Sequence, residues 1–117
     1  MLVDERTYQI RPGCMGLYLA RHREIALPLM RDYLGEPLAY FTTIEGELNQ
    51  FVHLWAYRDA ADREARRTRM YADPRWLAYR EDTGQTGWVL HQSNRLMTLL
   101  DFAGQLNKLP AATDAPG

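Results

Sequence analysis

The chain has little of what usually gives a function away. It holds one cysteine, Cys14, so no intramolecular disulfide can form, and no Cys/His spacing matches a zinc site. A reducing compartment, the cytoplasm, is the expectation. Lysine is almost missing, Lys108 being the single one, and the 14 basic side chains against 15 acidic ones leave a net charge of −1. Such a balance exerts no long-range pull on nucleic acid or an anionic bilayer, so neither is expected as a partner. No stretch approaches the ~18 apolar residues of a membrane span. The start, MLVDERTYQIRPG, has charges where a signal peptide needs an apolar run. Glycine-rich phosphate loops, nucleophile elbows and an ordered Ser/His/Asp set are absent as well.

What is present is an ordinary globular composition, 46% hydrophobic and 25% charged over 117 residues, enough for one core. Residues 3–11 alternate as a strand, with Arg6, Tyr8 and Ile10 on one side and Glu5, Thr7, Gln9 and Arg11 on the other, and Pro12-Gly13 stops it. From Cys14 to Leu34 the period becomes helical, with Tyr18, Ile25, Leu29 and Tyr33 on a stripe that also holds His22. Pro28 cannot donate to the carbonyl of Glu24, which predicts a kink over residues 24–28, and Gly35 ends the helix.

Two β-rich runs, 37–44 and 49–58, flank a turn at Glu45-Gly46-Glu47 and read as a hairpin. Asp59 is placed to cap a helix built from AADREARRTRMYA, and Asp73-Pro74 opens a second short helix, PRWLAYRED. Gly84 and Gly87 bracket a turn before the last strand, WVLHQSNRLMTLL. The order is βαββαβ, an α+β, ferredoxin-like arrangement with a four-stranded antiparallel sheet. Residues 1–103 are taken as the domain and 104–117, small, polar and proline-bearing, as a flexible tail.

Two helices cover one face of such a sheet and leave the other bare, roughly 400 Å² in projection. The third strand shows no side suited to water: Phe51, His53, Trp55 and Tyr57 fill one flank, Val52, Leu54 and Ala56 the other. A homodimer packed sheet to sheet is therefore predicted. With a hairpin loop of two or four residues, Tyr40 falls opposite His53 and Leu38 opposite Trp55. A phenol and an imidazole so placed could share a hydrogen bond and give an aromatic pocket a polar point, so His53 is the candidate general base or orienting group. His22 approaches the same space from the helix, while Arg6 and Tyr8 could hold a ligand's carboxylate and hydroxyl. His22, His53 and His91 lie on separate elements, so no metal or other cofactor is expected. The basic cluster Arg63, Arg66, Arg67 and Arg69 is read as solvated, paired i to i+4 with neighbouring acids, and Trp76 and Trp88 as core or rim aromatics.

Two stretches, RTYQIRPG and YFTTIEGELNQFVHLWAYRDAADREARRTRMYADPRW, carry a resemblance to the NIPSNAP family over about residues 3–98. The chain differs from larger members in holding a single such domain. The resemblance implies a ferredoxin-like fold pairing into a dimeric α+β barrel, a superfamily similar in holding small aromatic or lipophilic ligands, or haem, between sheet and helices. Three readings follow. The first is a homodimer binding a small aromatic or lipophilic molecule through Arg6, Tyr8, His22, Tyr40, His53 and Trp55; the second is a cofactor-free oxygenase or isomerase using His53 as base. The third is a non-catalytic protein-interaction module.

Overall fold

The first strand, β1 (Leu2–Ile10), becomes the centre of the molecule because both of its edges are paired. The computed structural model describes residues 1–102, so the expected tail at 104–117 lies outside the described residues. β3 (Gln50–Tyr57) and β4 (Val89–Thr98) flank β1, and β2 (Ala39–Thr42) pairs with β3, giving the order β2-β3-β1-β4 with every pairing antiparallel. This is the α+β, ferredoxin-like sheet expected from the element order. Among the described residues no helix is long and apolar enough to cross a membrane.

The first helical stretch runs as α1 (Met15–Arg21), a π-helical turn (His22–Ala26) and α2 (Leu27–Leu34). Pro28 is the cause: with no N–H and a ring that crowds the preceding turn, it is accommodated by one wide turn, in which Leu27 N–H bonds back to the His22 carbonyl. The extra residue rotates the stripe. Tyr18, His22, Ala26, Met30 and Leu34 are buried at steps of four, whereas Ile25, expected inward, is turned outward. Pro28 thus marks a disturbance of the helix, as its chemistry implies, in the form of a π-helical turn at His22–Ala26.

Asp59 caps α3 (Ala60–Tyr71) by accepting from Asp62 N–H at 2.8 Å, and Asp73 caps α4 (Pro74–Thr86) by accepting from Arg75 N–H at 2.8 Å. α4 is longer than the nine residues expected. Gly84 stays inside it, and only Gly87, left-handed at φ 69°, ends it. The hairpin connection is also longer than expected, running from Thr43 to Asn49 with positive φ at Gly46 and Asn49. Thr43 N–H still bonds the Gln50 carbonyl, so the register across it is preserved.

Helices α2, α3 and α4 meet β3 in one core of Leu29, Met30, Leu34, Trp55, Met70 and Trp76. Each fully buried side chain of this size contributes about 1.5–3 kcal/mol. They leave two surfaces open. On the outer face Phe41 is 53% exposed beside half-buried Val52 and Leu54, but the expectation of an apolar face holds only for β2 and β3. Across β1 and β4 that face carries Glu5, Thr7, Ser93 and Arg95, with Arg95 Nε bonded to Glu5 at 2.8 Å. Among the described residues the outer edge of β4 has no partner strand, and its residues 90–96 are all exposed.

Candidate functional site

Strand alternation and register decide which side chains look toward the helices. β1 places Asp4 opposite Trp55, Arg6 opposite His53 and Tyr8 opposite Phe51, and β2 places Tyr40 opposite His53, the pairing expected from the hairpin. All lie on the helix-facing side. Their rings form a row: His53 stacks on Tyr40 at 5.3 Å with planes 8° apart and meets Tyr8 edge-on at 5.2 Å, while His22 meets Tyr40 edge-on at 5.4 Å.

The six candidate residues do not line one pocket. A cavity of about 610 Å³ between the sheet and α3/α4 is floored by Arg6 and Tyr8. A smaller hollow of about 370 Å³ at the β2 edge is bordered by His22 and Tyr40. His53 and Trp55, both fully buried, line neither. One β-sheet face holds five of the six, with His22 reaching it from the π-helical turn, but the helices divide the space above it.

The polar contacts also differ from expectation. Tyr40 Oη lies 2.9 Å from His22 Nε2, so the phenol joins the helix histidine and only stacks on His53. His53 Nδ1 instead accepts from the indole N–H of Trp55 at 2.7 Å. An indole nitrogen can only donate, so in a neutral ring the proton sits on His53 Nε2, which has no partner among the described residues. Burial, then the fields of His22, Arg6 and Arg67, hold the His53 pKa well below its ordinary value, keeping the ring neutral. In this tautomer the free nitrogen is a donor, and the nitrogen with a lone pair is occupied. Burial likewise brings His22 down to about 4.

The strongest electrostatics belong to residues outside the candidate set. Asp4, fully buried, accepts from Arg63 Nε at 3.0 Å, Arg6 Nη1 at 3.3 Å and Asn94 Nδ2 at 3.0 Å. Burial works against the charge of Arg6, but Tyr8 and Asp4 more than offset it, so its pKa is raised. The arginines of α3 are not one solvated face. Arg66 pairs with Asp62 at 3.1 Å as expected, but Arg63 reaches Asp4, and Arg67 is buried against the cavity. Arg67 Nε donates to Tyr71 Oη at 2.7 Å, with the guanidinium 5.1 Å above that ring. The cavity wall also includes Trp76 from α4. Asp4 shares the inward parity of Arg6 and Tyr8, and Arg67 lies three residues before buried Met70, so strand and helix periodicity could have flagged both.

With this geometry in hand, comparison with known proteins is decisive. The NIPSNAP family profile matches residues 3–104. The chain belongs to the NIPSNAP family. A protein NipSnap homolog of Dictyostelium discoideum is 33% identical over 72 residues, 62% of this chain but 31% of that protein. This NIPSNAP chain thus spans about a third of the length of the curated relative it matches. A NIPSNAP family protein from Agrobacterium tumefaciens is 34% identical with a TM-score of 0.81, the alignment covering 89% of this chain and 97% of the other. An uncharacterized NIPSNAP-like domain protein from Burkholderia xenovorans is 32% identical with a TM-score of 0.83, covering 94% and 91%. A putative antibiotic biosynthesis monooxygenase from Nitrosomonas europaea shares the fold, with a TM-score of 0.61 over 86% of this chain and 99% of the other at 14% identity.

Proposed function

We propose that this NIPSNAP domain is a cytoplasmic binding protein that takes a small, partly aromatic or lipophilic molecule between sheet and helices and works as a homodimer. The cavity of about 610 Å³ carries the reading: its size suits a compact organic ligand, and its wall combines aromatic faces with a few polar groups. Tyr8 and Trp76 supply ring surface, and Arg6 a fixed charge at the floor. Homodimerisation is supported by Phe41, about half exposed on the outer face of the single chain beside half-buried Val52 and Leu54. A second chain would shelter these groups.

Native mass spectrometry of the freshly purified protein tests both parts. The expected species has twice the 13.6 kDa chain mass and carries a retained small molecule. Phe41→Arg is expected to shift the population to folded monomer, because it places a charge in the paired faces. A lone subunit with no adduct, together with unchanged Trp76 fluorescence across a panel of aromatic compounds, would end this reading.

A further inference from the structure

The chemistry of the cavity wall says more about the ligand than its size does. Arg6, Arg67 and Arg80 line the cavity, and among the described residues no aspartate or glutamate does. Arg6 has its counter-charge in Asp4. Arg67 does not: it is 4% exposed, and among the described residues no carboxylate lies within ion-pair distance of it. Its Nε is taken by the Tyr71 phenol, and its Nη1 has no hydrogen-bond partner among the described residues. Tyr57 neighbours Arg67 closely enough for hydrogen bonding and stands in its field, but burial outweighs both and raises the phenol pKa, so Tyr57 stays neutral and cannot balance the guanidinium's charge. Across the same space Trp76 Nε1 is buried and also lacks a partner.

A buried guanidinium without a counter-ion is costly, and an N–H buried without an acceptor adds to that cost. Both defects concern donors, and both belong to residues that border one cavity. An oxygen anion in that cavity supplies the counter-charge the guanidinium lacks, and a carboxylate is a form of it that arginine binds well. Arg6, held by Asp4 and Tyr8, adds a second positive charge at the floor.

We propose that the ligand of this cavity is an aromatic carboxylate, its charge set against Arg67 and its ring against the surrounding aromatic side chains. This rests on the reading of the cavity as a binding site and names the class of molecule it selects. The negative charge compensates Arg67, and the body of the ligand fills space that a small inorganic anion would leave open.

Titration calorimetry of the full chain with 1-naphthoate, its methyl ester and inorganic phosphate, with Trp fluorescence alongside, tests it. The acid is expected to bind at least about tenfold tighter than the ester and than phosphate. Arg67→Gln is expected to remove that preference by weakening the acid far more than the ester, and Arg67→Lys to restore part of it. An ester that binds wild-type protein as tightly as the acid overturns the proposal while the cavity stands as a neutral aromatic site. Phosphate binding as tightly as naphthoate overturns it too. Should neither acid nor ester bind, the cavity reading falls with it. The wild-type comparison of acid with ester decides even if the Arg67 variants do not fold.

Discussion

Two buried histidines should make this fold sensitive to mild acid, and His22 allows the size of the effect to be worked out. It is 5% exposed, and burial lowers its pKa to about 4 from an ordinary value of 6.5. A lowered histidine pKa means that the unfolded chain binds the proton more readily than the native one. Stability is therefore complete above pH 6.5 and lost as pH falls toward 4. Between pH 7.5 and pH 5 the loss from His22 alone is about 2 kcal/mol. His53, lowered by burial and by the fields of His22 and the arginines, adds to it with the same sign. Against a typical domain stability of roughly 5–15 kcal/mol this is a large fraction. Urea unfolding should show it as a midpoint falling by roughly 1–2 M over that interval. Asp73 stays out of the window, since hydrogen bonds from Arg75 and Tyr33 hold its carboxyl below the usual range. A His22→Gln/His53→Gln variant cannot titrate there and should lose little between the two pH values. A wild-type midpoint that does not move between pH 7.5 and 5, or a double variant that falls just as far, refutes the assignment of these rings as buried and neutral.

Asp4→Ala removes the shared partner of Arg6 and Arg63, both mostly buried, and should cost about 3–5 kcal/mol in urea unfolding at neutral pH. Asp4→Asn, which keeps an acceptor oxygen, should cost less. Trp55→Phe keeps most of the buried ring but removes the donor to His53 Nδ1, leaving both imidazole nitrogens unpartnered; a loss of about 1–3 kcal/mol is expected. Histidine nitrogen NMR shifts should change at His53 alone, and an unchanged spectrum would mean that the indole–imidazole bond is not formed in solution.

Much of the architecture was legible along the chain because the signals are local. Asp59 and Asp73 cap helices as their positions before helix formers suggested, and alternation in β1 and β3 set the sides of Arg6, Tyr8, His53 and Trp55 correctly. The pairing of Tyr40 with His53 followed from the parity of the hairpin loop, although the loop itself is longer than the turn first read. Family membership was legible for a related reason: the resemblance is carried by two contiguous stretches, RTYQIRPG and the run from Tyr40 to Trp76, and residues 3–104 match the family profile.

The sequence by itself determined which residues share a strand or helix face, since periods of 2 and 3.6 are properties of the backbone. Tertiary structure decided what those faces meet. The π turn forced by Pro28 turned Ile25 outward, and the seating of the helices parted Arg6 and Tyr8 from His22 and Tyr40. Arg67 shows the limit most clearly: periodicity can turn it inward, yet only the seating of α3 over the sheet puts this side chain against the cavity with no carboxylate among the described residues in ion-pair reach. Burial and counter-charge depend on distances between elements far apart in the chain, and no local pattern encodes those distances.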